Sequence, residues 1–400
     1  MALIVKNAHL WDGVSGGEPK PGMSVVCENG RFTRIAPDAE VMPNEIDTII
    51  DAAGRFVMPG MIDCHVHITS PGDPDSSKDA AEADSYLALR AAKMAELDMQ
   101  AGFTTVRNMG SRNYIDLALQ KAQKSGFASG ARVITCGPCL TMTGGHGWMG
   151  GTEVDGCDEA RKAARQNLKR GVDLIKIMAT GGVMTPGVEP GSAQLTEAEI
   201  RAAVEEAHKA GRKTATHAQG SEGIKNAIRA GIDSIEHGFY LDDEILEMML
   251  NQGVSLVPTL VAPYHIVEGG LSAGIPEYAV DKASRCAEDH LESFRRALAK
   301  GIRIGMGTDA GTPLNRHGEN ALELRMFVDN GMSNEQAMLC ATRIAADVCD
   351  RSDSIGTIET GKIADMLIID GNPLEDISIL VAKTPIKIVI MDGKVAFTRC

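Results

Sequence analysis

The chain has 400 residues, a formal net charge of −14 and 44% hydrophobic residues. That length suits a large α/β unit with an appendage, while the acidic balance, without a basic stripe, excludes nucleic acid as a partner. No apolar run reaches membrane-spanning length, and the start Met1-Ala2-Leu3-Ile4-Val5-Lys6 lacks a basic stretch ahead of an apolar core, so the reading is a cytoplasmic protein with no membrane partner.

The first 58 residues carry short strand patterns at 2–8, 24–28, 31–35 and 48–51, punctuated by Gly13, Gly16, Gly17 and Gly30, with no helical period. The tail resumes that style at 363–370 and 386–391, and the turn Asp392-Gly393 leads into 394–396. Small isolated sheets are marginal in water, so the two ends are expected to pair into one β-domain made of 1–58 and 357–400.

Between them, strand and helix patterns alternate. Strands are predicted at His65, then at 103–107, 132–136, 174–178, 213–217, 234–237, 255–260 and 303–307. Helices are predicted at 79–100, 197–210, 222–230, 243–251, 281–300 and 334–348. Eight strands with helices between them read as an α/β fold of the (β/α)8 TIM-barrel type over residues 59–356.

The first barrel strand contains Asp63-Cys64-His65-Val66-His67. Side chains alternate along a strand, so His65 and His67 point the same way while Cys64 faces outward. Two convergent imidazoles suit a divalent metal, although two histidines can alternate by chance. Lys176, His217, His237 and Asp309 lie at or near the ends of later strands, each followed within six residues by glycine. A parallel barrel draws its catalytic groups from such strand ends, though each residue alone has a structural alternative.

The nine cysteines are scattered. Cys136-Gly137-Pro138-Cys139 has redox or metal-binding spacing, but a strand end followed by a proline turn explains it more simply. Free thiols suit a reducing cytosol.

The order HxH, Lys, His, His, Asp on successive strand ends resembles the binuclear amidohydrolase superfamily over nearly the whole chain. Met58-Pro59-Gly60-Met61-Ile62-Asp63-Cys64-His65-Val66-His67, Lys176-Ile177-Met178-Ala179-Thr180-Gly181-Gly182-Val183 and Gly307-Thr308-Asp309-Ala310-Gly311 are similar to its imidazolonepropionase-related branch, which contains Xaa-Pro and Xaa-Arg dipeptidases. The resemblance implies a small β-sandwich built from both chain ends. It also implies two divalent metal ions, zinc being the first choice for this N/O set, with His65, His67 and Asp309 on one and His217 and His237 on the other. An N-carboxylated Lys176 would bridge them, with Asp309 moving protons. The implied reaction is hydrolysis of an L-dipeptide or N-acyl amino acid with a free carboxylate, Xaa-Pro first, then Xaa-Arg or Xaa-Lys. A cyclic amide, lactone or phosphotriester is the alternative, because one scaffold hosts many chemistries. A homo-oligomer is expected.

Substrate contacts are expected from the loops. His146, in the glycine-rich loop after the third strand, is a candidate hydrogen-bond donor to the substrate carbonyl or carboxylate. Tyr240 is a candidate carboxylate contact by resemblance to the dipeptidases. Arg107, at the end of the second strand, is read either as a carboxylate ligand or as half of a structural ion pair. The Pro/Gly-rich segment 185–194 reads as part of a lid.

Overall fold

The structure is a computed structural model that describes residues 1–14 and 17–399. Met61–Val66 is buried at every position, as is Phe103–Asn108, the pattern of parallel strands covered on both faces. Met61–Val66 pairs in parallel with Phe103–Asn108, which pairs with Arg132–Ile134. Leu174–Met178, Lys213–Ala218, Ser234–His237 and Ser255–Val257 form a second parallel run, flanked by the short strands Leu140–Thr141 and Thr152–Glu153.

Hydrogen bonds outside these ladders close the ring. Asp173 and Leu174 donate their backbone N–H groups to the Thr135 carbonyl at 2.8 and 3.2 Å. On the other side Leu256 bridges Ile304 in parallel, Cys64 donates to the Met306 carbonyl at 2.8 Å and Asp309 donates to the His65 carbonyl at 2.7 Å. The segment predicted at 303–307 is therefore the eighth barrel strand, although its ladder is broken. Close packing explains the glycine beside it: a Cβ on Gly307 would lie 2.4 Å from Val257 Cγ1 and 3.0 Å from His65 Cβ.

The two chain ends meet in one eight-stranded sheet. Leu3–Leu10, Lys20–Glu28, Arg31–Pro37, Thr48–Asp51 and Phe56–Pro59 come from the first end, and Met366–Ile369, Ile386–Met391 and Lys394–Thr398 from the second. The join is the antiparallel pair of Phe56–Pro59 with Met366–Ile369. Val5, Val25, Phe32, Val57, Met366 and Ile368 form the core of this sheet. Gly60 then leads into the first barrel strand, so the terminal sheet and the HxH strand are separated by one residue.

Several boundaries differ from the sequence reading. The helix expected from residue 79 begins at Asp84, after the 3-10 turn Ser76–Ala81. The strand expected at 255–260 stops at Val257, because Thr259 adopts a left-handed conformation (φ 55°), and the helix Val261–Gly269 follows. The helix expected at 334–348 is two helices, Asn334–Cys340 and Arg343–Val348, broken where Thr342 takes φ −125° and ψ −99°. Ile115–Lys124 and Leu322–Asp329 are helices the sequence reading did not mark.

Cys64 faces outward as expected and packs against the Ala345 carbonyl and Cys349. Cys136 and Cys139 are buried free thiols. No helix among the described residues is long and apolar enough to cross a membrane.

Candidate active site

The carboxyl ends of the barrel strands bring His65, His67, Lys176, His217, His237 and Asp309 to one cavity of about 250 Å³, which His146 also lines. Neighbouring imidazoles pack closely. Ring centroids are 5.5 Å apart for His65 and His67, 5.0 Å for His65 and His237, 4.5 Å for His217 and His237, and 4.1 Å for His146 and His217.

Hydrogen bonds fix which ring nitrogens keep a lone pair. His65 Nδ1 lies 2.8 Å from Glu236 Oε2, and a carboxylate can only accept, so the proton sits on Nδ1 and Nε2 is the free donor of electrons. His217 Nε2 lies 2.9 Å from the Gly181 carbonyl, which leaves Nδ1 as its lone pair. His237 Nδ1 is 2.7 Å from Thr259 Oγ1. Asp309 Oδ1 lies 3.0 Å from His67 Nε2 and 3.3 Å from His65 Nε2, yet it is buried without a well-aligned hydrogen bond. Two electron-pair donors, His65 Nε2 and Asp309 Oδ1, thus face each other, an arrangement that calls for a cation between them. The ligand atoms of His65, His237 and Asp309 all lie within 4.8 Å of one another. This triad joins two residues of one side of the expected two-ion division, His65 and Asp309, to one of the other, His237, which was expected with His217.

Burial sets the charge states. It drives the His217 and His237 pKa values well below the ordinary imidazole value, and neighbouring histidines add to the shift, so both rings are neutral and able to ligate. Burial alone would raise the Asp309 carboxyl, but positive charge between the rings and the carboxylate, whether protons on His65 and His67 or a cation in their place, outweighs it and holds the group far below the usual carboxylate range. Lys176 is 1% exposed and has no hydrogen bond or ion pair among the described residues. Burial lowers its pKa, partly opposed by Glu236 and Asp309, which favours the neutral amine.

The substrate contacts expected from sequence divide. His146 lies in the cavity, its Nδ1 2.9 Å from Thr185 Oγ1, with burial pulling its pKa down to about 3. Arg107 does not line the cavity. Its Nε donates to the Cys64 carbonyl at 2.6 Å, and its two terminal nitrogens donate to Ser234 Oγ and Glu236 Oε1 at 3.3 and 2.9 Å. The carboxylate it meets within the chain is therefore Glu236. Tyr240 is also turned away, its hydroxyl 3.0 Å from Cys286 Sγ on the helix Glu277–Lys300. In the segment 185–194, Thr185 lines the cavity, while Glu189 pairs with Arg285 at 3.0 Å.

Sequence reasoning missed the supports of this site. Glu236 joins His65 to Arg107, and the Arg107 charge overcomes burial to hold its carboxyl down at about 2. Asp63 accepts from the His65 and Thr308 backbone N–H groups, from Thr308 Oγ1 and from Asn320 Nδ2, tying the first strand to the eighth. His290 Nε2 reaches the His237 and Pro258 carbonyls at 3.1 and 2.8 Å. The available signal was an acid next to a candidate ligand histidine on an apolar strand, as in Glu236-His237.

The family model for amidohydrolases matches residues 56–396. The chain belongs to the amidohydrolase family. The imidazolonepropionase of Acidiphilium cryptum is 25% identical over 94% of this chain and 95% of its own length. Ochratoxinase of Aspergillus niger is 29% identical over 91% of this chain and 80% of its own length. The crystal structure of a Xaa-Pro dipeptidase with methionine bound in its active site superposes with a TM-score of 0.91, at 32% identity and full coverage of both chains. An amidohydrolase needs an electrophile for the amide carbonyl and a base for water, and this donor set fits a divalent metal through neutral imidazoles, a deprotonated aspartate and an orphaned carboxylate oxygen.

Proposed function

We propose that this amidohydrolase is a binuclear, zinc-dependent enzyme that cleaves the amide bond of L-dipeptides or N-acyl amino acids with a free carboxylate, Xaa-Pro first. The observation that carries the reading is the buried, unpartnered Lys176 amine within a ring formed by His65, His67, His217, His237 and Asp309. A carboxylated Lys176 would bridge the two ions, which when bound would polarise the amide carbonyl and lower the pKa of water.

The chain's own groups supply the rest. Asp309, deprotonated and facing the cavity with an unsatisfied oxygen, takes a proton from the attacking water and returns it to the leaving nitrogen. Glu236 keeps the His65 proton on Nδ1 and so holds Nε2 available. His146 is the remaining candidate for orienting the substrate carbonyl or carboxylate, because Arg107 and Tyr240 face elsewhere. The Xaa-Arg or Xaa-Lys alternative has less support: Asp79, the one cavity carboxylate besides Asp309 among the described residues, is paired with Arg90 at 2.7 Å. The free thiols suit a cytoplasmic location.

The test is turnover by metal-loaded enzyme of Leu-Pro, Leu-Arg, their C-terminal amides, a lactone and a phosphotriester. Leu-Pro is expected to lead and its amide to lag. Equal turnover of the amidated dipeptides would remove carboxylate recognition, and cleavage of the lactone or phosphotriester alone would replace amide hydrolysis.

A further inference from the structure

The cavity has two unlike walls. One is the ring of ionisable groups described above. The other is apolar: Val183 and Met184 follow the strand Leu174–Met178, Phe239 follows Ser234–His237, and Ala262, Pro263 and Ile266 come from the helix Val261–Gly269. A second layer of Ile275, Ala279, Ala283 and Cys286 backs this wall, and the Phe239 ring lies 4.2 Å from His290. Such backing keeps the wall from collapsing inward.

Among the described residues, no charged side chain lines that side of the cavity, and Lys282 behind it is bound to the Thr185 carbonyl at 2.9 Å. Asp79, the lining carboxylate outside the ring, is neutralised by Arg90 at 2.7 Å and bound by Ser70 Oγ at 2.8 Å. A charged side chain seated on the wall would lose water without gaining a counter-charge. Gln219 supplies an independent sign of a ligand. It lines the cavity at 3% exposure, and its Oε1 is buried without a hydrogen-bond partner. An acceptor left this way is satisfied when a ligand brings an N–H.

We propose that the wall formed by Val183, Met184, Phe239, Pro263 and Ile266 is a subsite for a large apolar side chain, aromatic or long aliphatic, flanking the scissile amide, and that Gln219 accepts a hydrogen bond from an N–H of the same molecule. This rests on the amide-hydrolase reading and narrows it to a substrate class. Proline fits the wall but underfills it; phenylalanine, leucine and methionine cover more of it.

Calorimetry of the holoenzyme with reduced-amide dipeptide analogues, whose carbonyl is replaced by methylene, reads the subsite without turnover. The panel is the analogues of Gly-Gly, Phe-Gly, Gly-Phe, Glu-Gly, Gly-Glu, Lys-Gly and Gly-Lys. One phenylalanine analogue is expected to bind at least about tenfold more tightly than the glycine, glutamate and lysine analogues. Ile266→Ala and Met184→Ala should each cut that advantage by about threefold or more, and Gln219→Leu should weaken the phenylalanine analogue by about tenfold. Phenylalanine analogues that bind within about threefold of the Gly-Gly analogue on both flanks, or an advantage intact in both alanine variants, overturn the subsite. Tight binding unchanged in Gln219→Leu overturns the glutamine contact. Amide turnover is read separately: a protein that ranks the analogues as expected yet cleaves no amide keeps the subsite and loses the proposed reaction.

Discussion

Asp309 and His237 both hold left-handed backbone conformations, with φ of 62° and 74°. Non-glycine residues adopt this region at a cost of about 1–3 kcal/mol, so the surroundings must hold them there. Around Asp309 the neighbouring Thr308 is fixed by Asp63, and around His237 the clamp is Thr259 and His290. Asparagine tolerates the same conformation, so Asp309→Asn should keep the circular dichroism spectrum while kcat falls by about 10²–10⁴ through loss of proton transfer; near-normal turnover would assign the proton to another group. Glu236 is a second residue whose removal separates effects. Glu236→Gln leaves the buried Arg107 charge without its partner and should lower unfolding stability by roughly 3–5 kcal/mol in urea titrations. Arg107 depresses the Glu236 pKa from 4.5 to about 2, so its stabilisation is full above pH 4.5 and is lost as pH falls toward 2. The glutamine variant should therefore show a shallower loss of stability across that window, and an unchanged slope would contradict the pair's role.

Elements differ in how plainly the sequence shows them. The barrel strands were legible because the candidate ligand residues end short apolar runs, and the one-residue spacing of His65 and His67 dictates a shared face at the end of Met61–Val66. Helix Val261–Gly269 was hidden, since Val261-Ala262-Pro263 continues the apolar run of Ser255–Val257 and nothing local signals the left-handed turn at Thr259. What holds that helix lies far along the chain. Glu323, fully buried on Leu322–Asp329, accepts from the Leu260 and Val261 N–H groups at 2.8 and 2.9 Å. Because the helix carries Ala262, Pro263 and Ile266 of the cavity wall, Glu323→Ala should raise KM by about tenfold with little change in kcat, and cost about 0.5–2 kcal/mol as a lost cap. A fall confined to kcat in steady-state assays would show that the helix acts on the chemistry instead.

At the scale of the whole molecule, the terminal sheet and the barrel are stitched together beside the first strand. Arg132 on the barrel strand Arg132–Ile134 pairs with Asp365 at 2.7 Å and Asp392 at 3.0 Å, both beside strands of the terminal sheet. The joining of the two ends was legible from their common strand-and-turn style, whereas the partners of Arg107 and Tyr240 were not, because a strand-end cation or a loop tyrosine reads the same whether it faces a cavity or a neighbour across the ring. The central claim concerns a metal centre organised by Lys176. Its most direct test is metal content by plasma mass spectrometry on purified protein and on Lys176→Ala, with amide turnover measured on the same samples. The account predicts about two divalent ions per chain in the native protein, reduced occupancy and turnover in the variant, and partial recovery of turnover with short carboxylic acids. Full metal content and full turnover in Lys176→Ala, or undiminished turnover in metal-free native protein, would contradict it.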